Sequence, residues 1–191
     1  MRSIARDLVA SGRAVWNIEY RRMGRGQGGG WPQTFDDVAA AIDHLAELGD
    51  QRLDMGDVVM VGHSAGGQLA LWAASRADGK VRATRVVAQA PVTQMAAAEA
   101  AHELLGGAPD EVPERFAAVN PIELVPPPVP VLVVHGDDDQ TIPLFRSRDY
   151  VLAACAAGGE VELVEPSPGG HRTHVARNSA PWRAAAAWIA R

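Results

Sequence analysis

A serine between small residues, directly after a short apolar run, is the strongest chemical feature of the sequence. Gly62-His-Ser-Ala-Gly66 follows Val58-Val-Met-Val61, a continuous apolar run typical of a strand buried on both faces. A helical pattern begins at Ala65, so the chain must turn sharply, and such a turn needs small residues around the serine. Ser64 would then be an exposed nucleophile, with the Ala65 N–H placed to bind an oxyanion. The alternative is a glycine-rich turn whose serine caps the helix, but the strand before it favours the nucleophile.

A serine hydroxyl needs a base that takes its proton, and the base needs a carboxylate that orients it. The segment from Glu165 to His174 offers two histidines after the last predicted strand. We favour His171, because two glycines precede it and allow the loop to return over the sheet edge, and His174 is the rival base. An acidic turn after another buried strand offers three carboxylates, of which two would only solvate the turn: Asp137, Asp138 and Asp139.

The remaining reactive side chains have structural interpretations. His63 and His135 belong to the two motifs and are expected to be structural neighbours, whereas His44 and His102 fall at surface positions. Cys155 lies on the apolar side of a predicted helix with no base or helix N-terminus beside it, so we expect a buried, inert thiol. No cluster has the spacing of metal ligands, and neither a metal nor another cofactor is expected.

Strand and helix patterns alternate along the chain, which predicts crossover units and a mostly parallel sheet covered on both faces. The predicted strands are Ala14–Tyr20, Val58–Val61, Arg85–Ala90, Val129–Val134 and Val161–Val164. The predicted helices are Ile4–Val9, Pro32–Leu48, Ala65–Ser75, Leu144–Ala157 and Trp182–Ala190. The fold class is therefore α/β.

The stretch from Thr93 to Pro128 interrupts this alternation. It is rich in alanine and then in proline, and its predicted helices are short. An excursion of this length over a parallel sheet is typical of a cap or of an oligomer contact, so a homodimer is one expectation. A chain of 191 residues can bury one core. We expect a single domain, residues 1–191, with 93–128 as a candidate cap.

Charge and hydropathy exclude several classes of partner. The net charge of −5 argues against a nucleic acid or an anionic membrane, which would require a basic face. No apolar run approaches the roughly 18 residues of a membrane span. The first residues are charged and amphipathic, without the apolar centre of a secretory signal. We therefore expect a cytoplasmic protein that acts on a small molecule.

Together these motifs resemble the α/β-hydrolases, in particular the esterases, the kynurenine formamidase-like enzymes and the prolyl oligopeptidase-like enzymes. The resemblance runs from Ala14 to Trp182 and is strongest at Val61–Gly67 and at His135–Pro143. The latter segment is similar to the family pattern His-Gly-x-x-Asp-x-x-Val-Pro, which selects Asp139. The resemblance implies a three-layer fold and hydrolysis of a carboxylic ester or similar acyl bond through an acyl-enzyme, by Ser64, Asp139 and His171. An arylformamidase or a prolyl oligopeptidase-type peptidase is the alternative.

One departure from the family concerns the oxyanion site. Relatives carry a His-Gly-Gly-x-Trp segment after an earlier strand, whereas this chain starts with what resembles the following helix. Gly26–Trp31 comes after the next strand, so we do not give it this role. The absent strand would lie between Ala14–Tyr20 and Val58–Val61, and its absence would leave backbone groups unpaired. Two hypotheses follow: a working esterase, by an upstream start or re-pairing of the neighbours, and a catalytically weak or inactive remnant.

Overall fold

Four parallel strands form the sheet, and they lie side by side in chain order. In the computed structural model, which describes residues 1–191, the strands are β1 (Val59–His63), β2 (Arg85–Gln89), β3 (Val131–Val134) and β4 (Val161–Val164). One row across the sheet joins Val61, Val87, Leu132 and Glu162. Because all strands run the same way, their carboxyl ends meet at one edge of the sheet, where ligands bind in α/β folds.

Seven helices accompany the strands: α1 (Arg2–Ala10), α2 (Gln33–Asp43), α3 (Ala65–Ser75), α4 (Glu99–Leu105), α5 (Pro113–Val119), α6 (Leu144–Ala156) and α7 (Ala180–Ile189). Successive side chains of a strand point to opposite faces of the sheet. Val86 and Val133 therefore pack with α3 and α6 on one face. Val87 and Leu132 pack with α1 and α7 on the other. The predicted three-layer α/β fold is confirmed.

Helix α3 is buried along most of its length because it lies between two apolar surfaces. Ala70 and Leu71 pack with the sheet. Leu69 and Ala73 pack with Phe35 of α2. A helix that is apolar all round is stable only inside the protein, and burying each large aliphatic side chain contributes about 1.5–3 kcal/mol. This packing holds the start of α3, and with it the neighbouring Ser64.

The predicted strand Ala14–Tyr20 does not form. The segment has no regular secondary structure, and none of its backbone N–H or C=O groups makes a hydrogen bond within the chain. A β-strand exists only through pairing with a neighbour, and β1 pairs with β2 alone. The apolar side chains of the segment still bury part of their surface, since Ile18 and Tyr20 pack against the core beside α2.

Residues 93–128 fold into short helices that join the core beside α2. The segment contains α4, α5 and two 3₁₀ turns, Met95–Ala97 and Pro121–Glu123. Its buried side chains pack in the same cluster as Phe35 and Leu69: Met95, Ala101, Leu105, Phe116 and Val119. Gln68 of α3 also donates a hydrogen bond of 2.8 Å to the carbonyl of Val119. The excursion is thereby attached to the helix that follows Ser64.

Three expectations need local correction. Cys155 is exposed, because the inward side of α6 is occupied by Tyr150 and Ala154 and the next residue points outward. The helix predicted for Pro32–Leu48 is α-helical only to Asp43 and continues as a 3₁₀ turn to Glu47. Strand β3 begins at Val131, since Pro130 has no N–H to donate to a ladder.

None of the helices is long and apolar enough to cross a lipid bilayer.

Candidate active site

Ser64 stands at the turn between β1 and α3 in a strained backbone conformation. Its φ is 57° and its ψ is −122°, a region that residues with a side chain rarely adopt. Its backbone N–H donates to the carbonyl of Gln89 at 2.9 Å, which ties the turn to the end of β2. A Cβ at Gly62 would lie 1.9 Å from the carbonyl oxygen of Gly66. Of the small residues predicted around the serine, Gly62 is therefore needed for this close approach of backbone to backbone.

The side chains of Ser64, His171 and Asp139 form one hydrogen-bonded chain. The distance from His171 Nε2 to Ser64 Oγ is 3.1 Å, and that from His171 Nδ1 to Asp139 Oδ2 is 2.7 Å. A carboxylate can only accept, so Nδ1 carries the proton and Nε2 presents its lone pair to the serine hydroxyl. The structure thus brings together the three side chains in the order that proton transfer requires.

Asp139 is the aspartate that turns inward from the loop after β3. Its side chain is fully buried, whereas Asp137 and Asp138 are exposed. Burial raises the pKa of the Asp139 carboxyl, but the N–H of Ile142, the His171 ring and the N–H of Thr141 donate to it and together hold its pKa below the ordinary value. The carboxylate is therefore ionised at neutral pH and able to stabilise a protonated His171.

The sequence predicts the N–H of Ala65 as an oxyanion donor. It is the first residue of α3, and its N–H makes no hydrogen bond within the chain. A free N–H at a helix N-terminus, next to a nucleophile, favours negative charge on an adjacent oxygen. The geometry is therefore suited to binding an oxyanion beside Ser64.

The other histidines near Ser64 contact backbone atoms. His174 is completely buried, and its Nδ1 lies 3.0 Å from the carbonyl oxygen of His171. His63 Nε2 lies 2.8 Å from that same oxygen. Burial, and then the charge of His171, lower the pKa of His63 to about 4, and burial lowers the pKa of His174 as well. The structure places His171, and not His174, beside the serine.

The remaining histidines differ in burial. His135 is buried and contacts the Ser147 hydroxyl at 2.7 Å, so it is the structural neighbour that the sequence predicts. His44 is exposed as expected, whereas His102 is half-buried, with its Nε2 3.0 Å from the carbonyl oxygen of Ala96. No group of three or more His, Cys, Asp or Glu side chains in the chain is arranged to hold a metal ion.

The turns after β3 and β4 touch each other backbone to backbone. A Cβ at Gly136 would lie 1.8 Å from the carbonyl oxygen of Gly169, and a Cβ at Gly169 would lie 2.4 Å from Gly136 Cα. Asp139 follows the first glycine by three residues and His171 follows the second by two. The contact between glycines therefore brings the carboxylate and the imidazole together. The sequence places Gly169 in the loop before His171, but nothing in the spacing points to Gly136 as its partner.

Several known structures share this fold at low sequence identity. A truncated carbohydrate esterase from gut microbiota superposes with a TM-score of 0.71 at 20% identity, covering 84% of this chain and 68% of that one. A carboxylesterase-like protein from Lactobacillus plantarum gives 0.73 at 17%, covering 99% and 77%. Pyrococcus horikoshii acylaminoacyl peptidase gives 0.67 at 20%, covering 83% and 27%. The chain thus spans between about a quarter and three quarters of these structures.

Sequence comparison gives the family. A search of curated protein sequences returns no match. The family model of the prolyl oligopeptidase family matches residues 12–191, which is nearly the whole chain and includes the serine turn and both loops after β3 and β4. The chain belongs to the prolyl oligopeptidase family, and with it to the serine hydrolases of the α/β-hydrolase superfamily.

Proposed function

We propose that the protein hydrolyses a carboxylic ester or a related acyl bond of a small molecule through an acyl-enzyme. The observation that carries the proposal is the hydrogen-bonded chain from Ser64 through His171 to Asp139, at the carboxyl edge of the parallel sheet. These residues come from three separate turns, and an arrangement of this kind has a chemical use in nucleophilic catalysis.

The proposed reaction has two halves. Ser64 Oγ attacks the carbonyl carbon while His171 Nε2 takes the hydroxyl proton, and the N–H of Ala65 donates to the carbonyl oxygen as it becomes negative. The imidazolium, stabilised by Asp139, then gives the proton to the leaving alcohol or amine as the acyl bond breaks. A water molecule, deprotonated by His171, attacks the acyl-enzyme in the same way and regenerates Ser64.

Residues 93–128 are proposed to form a wall of the acyl pocket. Their support is the attachment to α3, because Gln68 lies four residues after Ser64 and donates to Val119 in the excursion. Pro91, just before the segment, would contact a Cβ at Gly67 at 3.0 Å, so the chain leaving β2 passes close to the serine turn. A wall at this place would decide which acyl groups enter.

The second candidate activity is peptide or amide hydrolysis. The family match favours it, and one of the similar structures is an acylaminoacyl peptidase. Amide hydrolysis would use the same three side chains, since only the leaving group changes from an alcohol to an amine. Arylformamidase activity, on an N-formyl aniline, is a further variant of the same chemistry.

The test is covalent labelling followed by substrate profiling. The intact chain is treated with a fluorophosphonate, its mass is measured, and circular dichroism verifies the fold. We expect one adduct that is absent in Ser64→Ala, and faster turnover of an aryl acetate than of an N-formyl aniline or a prolyl amide. No adduct on a folded chain would contradict the proposal and support a catalytically inactive remnant. Faster turnover of the prolyl amide would support the peptidase.

A further inference from the structure

His174 lies where the turn that carries Asp139 meets the turn that carries His171. Its side chain is completely buried. Its Nε2 is 3.3 Å from the backbone nitrogen of Gly136, which can only donate. Nε2 must therefore be unprotonated, so that Nδ1 carries the proton and donates to the carbonyl oxygen of His171 at 3.0 Å. The two contacts together specify a neutral imidazole in a single tautomer.

Gln89 connects this imidazole to the serine turn. Its side-chain Nε2 donates to the carbonyl of His174 at 2.9 Å, and its own backbone carbonyl accepts the N–H of Ser64 at 2.9 Å. Gln89 is completely buried, and its side-chain oxygen has no hydrogen-bond partner. A buried acceptor without a donor is destabilising. The amide at this position supplies His174 with a donor that an apolar side chain of the same size could not supply.

We propose that His174, anchored by Gln89, is a positioning residue for the base. Its neutral ring joins the His171 backbone to that of Gly136 and so keeps His171 Nε2 within reach of Ser64 Oγ. The inference rests on the proposed function, because it assigns a role to a residue that does not touch the reacting atoms. His63 donates to the same His171 carbonyl at 2.8 Å.

The physical need for such a residue follows from how the two turns meet. Gly136 and Gly169 are in contact without side chains, and the backbone hydrogen bond that joins the two turns, from the Asp137 N–H to the Pro166 carbonyl, is long at 3.4 Å. A displacement of about 1 Å between reacting groups can lower turnover about a hundredfold. A hydrogen bond at each end of the His174 ring resists this displacement directly.

Two substitutions of His174 separate hydrogen bonding from shape. Asparagine can place an amide N–H near the position of Nδ1 and donate to His171, whereas phenylalanine keeps an aromatic ring but can donate nothing. We expect His174→Phe to lower both the rate of fluorophosphonate labelling and kcat on an aryl acetate by about ten- to a hundredfold, with KM little changed. His174→Asn should recover most of this loss.

Gln89→Met keeps the proposal testable if the phenylalanine variant does not fold. This change removes the unpaired Gln89 oxygen but leaves the His174 carbonyl without its donor, so the number of unpaired buried groups is conserved and unfolding should shift little. We expect the labelling rate to fall nevertheless. Labelling as fast as in the unsubstituted chain, in either His174→Phe or Gln89→Met, would overturn the inference.

A measurement without substrate distinguishes this inference from the proposed function. Nitrogen-15 NMR of the histidine-labelled chain at neutral pH should show His174 as the neutral Nδ1–H tautomer. A charged ring or an Nε2–H tautomer would overturn the positioning role even where Ser64 reacts normally. If the unsubstituted chain is not labelled at Ser64, the proposed function fails and the positioning role fails with it.

Discussion

The two sides of Ser64 differ in how their backbone groups are held. On the side of β3 and β4, the turns that carry Asp139 and His171 are joined by backbone contact between glycines and by hydrogen bonds to buried side chains. On the other side, β1 has no partner at its outer edge, and residues 14–20 make no backbone hydrogen bonds.

This difference separates the two functions of the proposed site. Proton transfer depends on side chains from three turns, and tertiary contacts hold each of them. Oxyanion binding depends on the N–H of Ala65, whose position follows from the local turn and the packing of α3. A substitution in the turns after β3 and β4 should therefore alter geometry that many contacts determine. A substitution in residues 14–20, beyond β1, should alter a region with few contacts.

The largest expected effect comes from replacing the Asp139 carboxylate, on the side of β3 and β4. Asp139→Asn would present an amide to His171 Nδ1 and favour the tautomer whose Nε2 cannot accept the serine proton. Turnover should fall about ten-thousandfold without loss of fold, measured as kcat on an aryl acetate together with circular dichroism. Asp138→Asn, at the exposed neighbour, is the matched control and should be nearly neutral. Equal losses in both variants would show that the carboxylate is wrongly assigned.

Amide hydrogen exchange compares the two sides without any substitution. The amides of Val131–Val134 in β3 should exchange roughly a thousandfold more slowly than those of residues 14–20, relative to their intrinsic rates. The reason is that β3 is paired on both sides, whereas the segment has no backbone partner. Strong protection of residues 14–20, measured by NMR, would contradict the comparison and reveal a backbone partner in solution.

Glycine substitutions test the close contacts on each side. Gly136→Ala places a Cβ 1.8 Å from the Gly169 carbonyl oxygen, and should lower the free energy of unfolding by about 3 kcal/mol or more. Gly66→Ala is the control at the serine turn, because its Cβ would meet nothing within 4 Å and alanine favours helix by about 1 kcal/mol. Urea unfolding measures the change in the free energy of unfolding in both variants. A neutral Gly136→Ala would mean that the two turns separate readily.

The most gradual effect concerns His63, which reaches from the β1 side to the carbonyl of His171, because it is spread over more than two pH units. Its pKa falls from 6.5 to about 4 on folding, chiefly because it is buried. Between these pH values the unfolded chain binds a proton that the folded protein does not, so stability falls as the pH falls, by at most about 1.4 kcal/mol per pH unit for this group. Asp139 acts in a separate pH window. Its lowered pKa contributes stability at neutral pH, and protonation removes this contribution only at pH values below about 3.8.

Urea unfolding measured from pH 7 down to pH 4 checks this slope. His63→Leu should flatten the dependence on pH, while the buried histidines His135 and His174, whose pKa values are also lowered, continue to contribute. An unchanged slope in His63→Leu would show that this ring takes up its proton equally in the folded and unfolded chain.

The sequence predicted most of the sheet and the turn that carries Ser64. The strands β1 to β4 and the helices α3 and α6 follow from apolar runs and from periodicity, which are local properties of the chain. The strand predicted at Ala14–Tyr20 was wrong for a non-local reason: its pattern suits a strand, but nothing in the chain pairs with it. The prediction that Cys155 is buried was wrong by one position on the helix, since the apolar side of α6 is formed by Tyr150 and Ala154.

The sequence by itself determined the turn that carries Ser64, because the small residues around the serine and the strand and helix patterns on either side act within a few positions. It also reduced the acid and base to a few candidates in two loops, among which the family pattern selects Asp139 and the preceding glycines favour His171. Only the tertiary structure decided that Asp139 turns inward, that His171 lies at Ser64 and that His174 lies behind it. These positions depend on contacts between residues more than thirty positions apart, such as Gly136 with Gly169 and Gln89 with His174, and no local pattern encodes those contacts.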